Sequence, residues 1–256
     1  MSINLLGDGV RDVLDPRLKS GALTRPVART AVERRTVPET RTHGDSVLEV
    51  ADLNTEFHIG GDVYRAVGGI DLHLKQGECL GIVGESGSGK SVTSLSLMRL
   101  LAPASSRIEG EVLLNGRDLL ALSEREMRGV RGNDISMIFQ DAMASFSHLH
   151  TIGDQVSEAL FLHRDVSRKE GLEHTERMLS LVGFPNPADA MGLYPFELSG
   201  GLRQRAMIAM ALVCRPSLVI ADESTTALDV SVQAQILKLI KDLREELGLA
   251  VLLITH

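Results

Sequence analysis

GESGSGKS, residues 84–91, is the stretch that decides the fold. It fits the pattern G-x-x-x-x-G-K-[ST], with the apolar run CLGIV (79–83) before it and a segment of helical spacing, Ser91 to Leu101, after it. The run has the character of a buried strand, and Pro103 is expected to end the helix. A strand, a glycine-rich turn and a helix in that order point successive backbone N–H groups at one spot. There the helix N-terminus favours negative charge. Gly84, Gly87 and Gly89 keep Cβ atoms out of the way, so that the chain through Glu85, Ser86, Ser88 and on to Val92 can wrap phosphate oxygens. Lys90 adds a point charge toward β- and γ-phosphates, and the Ser91 hydroxyl can ligate Mg²⁺. The pattern marks a nucleotide-binding protein.

Working outward, LVIADES (218–224) supplies a second half to such a site. Its apolar residues make a buried strand and its carboxylates arrive at the C-terminal end, where open α/β sheets bind ligands. Asp222 is placed to hold Mg²⁺, and Glu223 to polarise the attacking water as general base. Taken alone, two carboxylates after a strand could equally cap the next helix. VLEVADL, IEGEVLLNG, ISMIF (135–139) and LAVLLIT (249–255) carry strand character. Residues 151–182, broken near 163–167, then 199–214 and 232–247, carry helical spacing. Strands alternating with helices, with a helical insert between, predict an α/β fold with a parallel-sheet core.

Composition sets limits. The 256 residues are 43% hydrophobic and 24% charged, so the chain can bury a large core. A net charge of −7 argues against nucleic acid as a partner. The 2 cysteines, Cys79 and Cys214, lie in apolar contexts without metal-ligand spacing and are expected to be reduced core residues. No apolar stretch reaches the ~20 residues of a membrane span, and the N-terminus lacks a secretory pattern. The first 45 residues hold no aromatic and carry a net charge of +2, leaving −9 for the rest. Pro, Thr and Arg at 21–45, without apolar period, read as a basic flexible linker.

LSGGLRQR (198–205), opening a helix, resembles the signature motif of ABC-type ATPases. With the loop at 84–91, Gln140 after a strand, ADESTTALD and a histidine after LLIT, an ordered set spans 46–256. The resemblance implies a P-loop NTPase core, an N-terminal antiparallel β subdomain and a helical subdomain at about 141–205. It implies a head-to-tail pair of ATPases with ATP and Mg²⁺ between them. Ser199, Gly200, Gly201 and Gln204 would then meet the partner's nucleotide. It further implies that Gln140 senses Mg²⁺ and couples to a transmembrane permease, that Asp229 communicates across the dimer, and that His256 aligns γ-phosphate and water beside Glu223. Phe57 matches the aromatic that stacks on adenine; Tyr64 competes for that role, and core packing is the alternative for either.

Within the family, the wording is similar to the ATPases of oligopeptide, dipeptide and nickel importers. That implies a place at the cytoplasmic face of the inner membrane, with a solute-binding protein acting indirectly and no nucleic acid. ABC ATPases acting on DNA or ribosomes fit less well, since coiled-coil inserts and tandem ATPase domains are missing from the sequence. Ala142, SFSH (145–148), Phe196 and Ser224 depart from the importer pattern and imply reduced hydrolysis. Residues 3–19, INLLGDGVRDVLDPRLK, resemble the C-terminal tail of the matching permease, giving a tail at 1–20, a linker at 21–45 and an ATPase domain from 46. Family members continue beyond the switch histidine, which implies a C-terminally truncated domain. The alternative reading is therefore a fragment that binds ATP without turning over.

Overall fold

A computed structural model describes residues 46–222 and 230–255. The permease-like tail, the linker, Glu223, Ser224, Asp229 and His256 lie outside the described residues. The chain divides into two units, one built from 46–76 and Val83–Leu122, the other from Gly77–Ile82 and the described part of Ser123–Thr255.

In the first unit, strands β1 (Ser46–Ile59) and β2 (Asp62–Lys75) form an antiparallel hairpin. Gly60 and Gly61 turn it, both at positive φ (61° and 91°), the geometry that matches the right-handed twist of the flanking strands. β3 (Cys79–Val83), whose residues up to Ile82 belong to the second unit, leads by chain into the glycine-rich loop and α1 (Lys90–Leu97) of the first. β4 (Ser106–Leu114) pairs with β1 on its other side and turns through Asn115–Gly116 into β5 (Arg117–Asp118). The sheet order is β2-β1-β4-β5. Alternation puts Leu48, Leu53, Leu74 and Val112 fully inside, and α1 packs on β1 and β2. α1 stops at Leu97, earlier than Pro103 alone predicts. Arg99 takes a left-handed φ of 50°, and its guanidinium donates to the carbonyls of Leu119 and Leu122, so tertiary contacts set the end of the helix.

The second unit holds the parallel sheet. β6 (Ile135–Ile138), β7 (Leu218–Asp222) and β8 (Ala250–Thr255) pair in parallel, in the order β3-β8-β7-β6. Every residue of β6 and β7 is buried, which is why their sequences are apolar runs and not alternations. β3 differs: it is a strand, but an edge strand among the described residues, and Cys79, Gly81 and Val83 face outward, with Val83 69% exposed. The expectation that β3 and Cys79 are buried is therefore corrected; Cys214 is buried, and both thiols are free.

Before β6 comes α2 (Glu124–Val130), started by the Ser123/Glu126 capping box. After it come α3 (Ala142–Ser145), α4 (Ile152–His163) capped by Thr151, α5 (Arg168–Leu181) with a Ser167/Glu170 capping box, and α6 (Pro187–Ala190). A 3₁₀ turn, Pro195–Glu197, leads into α7 (Gly200–Leu212), and α8 (Val230–Leu247) connects β7 to β8. Ile152, Val156, Leu179, Met207 and Ile208 join Val219 and Val251 in one apolar core beneath these helices. Among the described residues no helix is long and apolar enough to cross a membrane.

Candidate functional site

The loop between β3 and α1 is shaped by steric exclusion. Gly87 and Gly89 sit at φ 81° and 90°, where side chains with a Cβ are strained. A Cβ on Gly84 would lie 2.9 Å from Ser88 Oγ. On Gly89 it would fall inside contact distance of the Ala66 carbonyl oxygen, because β2 passes directly against the loop. Lys90 closes the loop on itself: Nζ donates to the carbonyls of Gly84 (2.7 Å) and Glu85 (2.9 Å), and the side chain is 7% exposed. Ser88 N–H donates back to the Glu85 carbonyl at 3.2 Å. The rim formed by Glu85, Ser86, Gly87 and Ser88 stays exposed, as does Ser91 one residue into α1, while Val92 is half-buried. The result is an open cradle of backbone amides at a helix N-terminus, fitted to phosphate groups.

α1 is held from beneath by a polar contact that local sequence pattern does not announce. Thr55 Oγ1 on β1 lies 2.8 Å from Ser96 Oγ, both buried, while Ser96 donates to the Val92 carbonyl at 2.7 Å. Thr93 is likewise tied down, its hydroxyl donating to the Gly89 carbonyl at 3.0 Å.

In the parallel sheet, Asp222 ends β7 and is 7% exposed. Gln140 is exposed and follows β6, whose Ile138 pairs with Ala221 of β7. Adjacent parallel strands therefore deliver Gln140 and Asp222 to the same sheet edge. Gln140 and Asp222 bring hard oxygens to that edge of the second unit, the donor type suited to Mg²⁺ and not to softer metals, while Ser91 belongs to the first unit. Glu223, Asp229 and His256 fall outside the described residues.

At α7, Ser199 is the N-cap; its Oγ accepts from Leu202 N–H at 3.4 Å, and Ser199 and Gly200 are exposed. Gln204 departs from its expected place beside them. One helical turn further in, α7 is covered by its neighbours, and Gln204 is only 2% exposed. Phe57 is 6% exposed, in the sheet interior, and faces Tyr64 across the hairpin; Tyr64 is the more accessible ring of that pair. Of the two candidate aromatics, burial leaves Tyr64 the better placed to offer a face to a base.

Comparison with known proteins accords with this geometry. Residues 67–226 match the model of the ABC transporter family. A probable peptide ABC transporter ATP-binding protein of Sinorhizobium fredii is 57% identical over 83% of this chain and 64% of its own length. The oligopeptide transport ATP-binding protein OppD of Escherichia coli is 48% identical over 89% of this chain and 67% of its own. The chain thus spans about two thirds of the length of these curated relatives. Among solved structures, a dimeric bacterial ABC transporter cassette, MJ0796, superposes with a TM-score of 0.71 at 29% identity, covering 82% of this chain and 88% of that one. Fold, loop, and the order of the motifs agree with the family match, and this chain belongs to the ABC transporter family.

Proposed function

We propose that the chain is the ATP-binding and ATP-hydrolysing subunit of an importer for peptides. The observation that carries this is the run of relatives at 48–57% identity named for peptide, dipeptide or oligopeptide transport. The ATPase domain begins at residue 46 and lies peripherally on the cytoplasmic side of the inner membrane, bound to transmembrane permeases. A second ATPase subunit completes it, and a solute-binding protein brings the substrate.

The chemistry follows from the residues. The loop amides of 84–92 and the Lys90 ammonium hold the phosphates; to reach them Lys90 exchanges its two carbonyl contacts for phosphate oxygens, one set of charge-assisted bonds for another. Ser91, Gln140 and Asp222 would hold Mg²⁺, which supplies charge neutralisation at the transferring phosphoryl group. Glu223 orients and deprotonates the water, and His256 fixes its line of attack. Asp229 links the two sites across the dimer. Ser199, Gly200 and Gly201 present a helix N-terminus to the partner's nucleotide, stabilising charge as it develops. Tyr64 is the ring we assign to adenine.

The test is direct. Lys90→Ala should lose ATP binding, measured by titration of a fluorescent ATP analogue, and Glu223→Gln should accumulate an ATP-bound dimer with hydrolysis lost. Unchanged affinity in the first variant, or parental turnover in the second, would refute the assignments.

A further inference from the structure

The stretch 198–205 carries two arginines that the nucleotide chemistry does not use. Arg203 Nε donates to the Pro195 carbonyl at 2.7 Å and Nη2 to the Phe196 carbonyl at 3.3 Å. Both carbonyls belong to the 3₁₀ turn that delivers the chain to Ser199. That turn has its own internal fastening: Glu197 accepts from Tyr194 N–H at 2.7 Å, and the rings of Tyr194 and Phe196 stack at 5.5 Å with 11° between planes. Arg203 is on the helix whose N-terminus the turn supplies, and its own N–H donates to the Ser199 carbonyl at 2.9 Å. Its side chain therefore ties the entry turn to the first full turn of α7. Of the intervening residues, Leu198 is held by the core, at 4% exposed, and donates its N–H to the Pro195 carbonyl at 3.3 Å. The Ser199 cap bond is long at 3.4 Å, and Gly200 and Gly201 have no side chains.

Arg205 makes the matching attachment on the other flank. Its Nη1 donates to the Val182 carbonyl at 2.5 Å, just beyond α5. It occupies the space a Cβ on Gly183 would need, at a residue whose φ is 83°. α7 is thus anchored to the helical layer by Arg205, while the loop ahead of it is anchored to α7 by Arg203.

We infer that Arg203 is a positioning residue. It binds no phosphate; it fixes the pitch of Ser199–Gly201 against α7, so that their amides are already aimed when a second copy of the chain brings its bound ATP. Donors stabilise developing charge only if their orientation is set beforehand, and small misplacements are expensive in rate. This role rests on the paired-ATPase reading above, and the experiment separates the two.

The full-length protein carrying Glu223→Gln is the background. Two quantities are read: affinity for MANT-ADP, which a single copy binds, and the ATP concentration giving half-maximal dimer by analytical ultracentrifugation. Ser199→Arg should abolish the dimer. Arg203→Ala should raise the half-maximal ATP concentration by roughly tenfold, with MANT-ADP affinity held within about twofold. Arg203→Lys, able to reach one carbonyl but not two, should fall between, and it carries the test if Arg203→Ala does not fold. Dimerisation of Arg203→Ala or Arg203→Lys at the parental ATP concentration, with Ser199→Arg inactive, overturns the positioning role alone. A parallel loss of MANT-ADP affinity overturns it too, because a general structural defect would explain both. Parental dimerisation by Ser199→Arg, or no ATP-dependent dimer in the background protein, overturns the paired reading and this role with it.

Discussion

Gly89→Ala is the change that tests most sharply how the phosphate loop is built. Two penalties meet at this residue. Its φ of 90° lies in the region that L-residues with a Cβ adopt only under strain, at a cost of about 1–3 kcal/mol. The added Cβ would also come closer to the Ala66 carbonyl oxygen than the 3.0 Å that real Cβ atoms keep. That oxygen is backbone in the middle of β2, so the sheet or the loop must shift; no side chain can swing aside. Overpacking of this kind typically adds about 1–3 kcal/mol. The expected total, about 2–6 kcal/mol, is a large part of the 5–15 kcal/mol that holds a typical domain together. Gly116→Ala separates the two terms, since Gly116 has φ 76° but no atom within 4 Å of the site of its Cβ. It should show the backbone penalty without the clash. Urea unfolding of the full-length protein, with a fluorescent ATP analogue bound in parallel, measures both effects. Gly89→Ala should lose at least about 1 kcal/mol more than Gly116→Ala and bind nucleotide more weakly. Equal losses in the two variants, with nucleotide affinity intact, would refute the claim that β2 shapes the loop.

Two further outcomes are expected. Ser96→Ala should destabilise more than Thr55→Val: Ser96 gives its proton to the Val92 carbonyl, so Thr55 is the donor of the buried pair, and removing Ser96 leaves a hydroxyl at 0% exposure without an acceptor, worth about 1–3 kcal/mol. The double variant Thr55→Val with Ser96→Ala should regain part of that loss in urea midpoints, and strict additivity would count against the pairing. His163 has its imidazole pKa pushed down, chiefly by burial and further by the Arg164 charge, with Asp134 opposing. The folded state therefore takes up the proton less readily than the unfolded chain, and stability should fall as pH drops through the ordinary imidazole range. His163→Gln should flatten that dependence between about pH 7.5 and 5.5, and an unchanged slope would exclude His163 as its source.

The loop at 84–91 was legible because its chemistry is local: glycine spacing, a lysine, a serine, and a strand and helix on either side. β6 and β7 were legible for a related reason, since burial on both faces leaves an unbroken apolar run. The same signal misled at β3. An apolar run of five residues reports strand propensity, not how many neighbours the strand finds, and Val83 ends up outward. Gln204 and Phe57 differ in another way, for they stand in motif positions yet are buried within the chain, which their letters do not announce. Arg99 shows a third limit, because a helix that one proline was expected to end is ended five residues after Val92 by carbonyls near residue 120.

What the motif letters omit is the support that gives them their shape. The Ala66 carbonyl that rules out a side chain at Gly89 belongs to β2, and any residue at position 66 would supply it. No sequence pattern could reveal it. Thr55 and Ser96 are separated by 41 positions, and each alone is an ordinary strand threonine or helix serine. Arg203 is visible as a letter, but an arginine within a phosphate-facing motif suggests an anion ligand, and only the geometry at Pro195 and Phe196 turns it into a brace. Contacts made through backbone atoms leave the identity of one partner free. A motif therefore records the residues whose side chains are constrained and is silent about the carbonyls that constrain them. In this chain the second group decides whether glycine 89 can be replaced and which way Ser199 points.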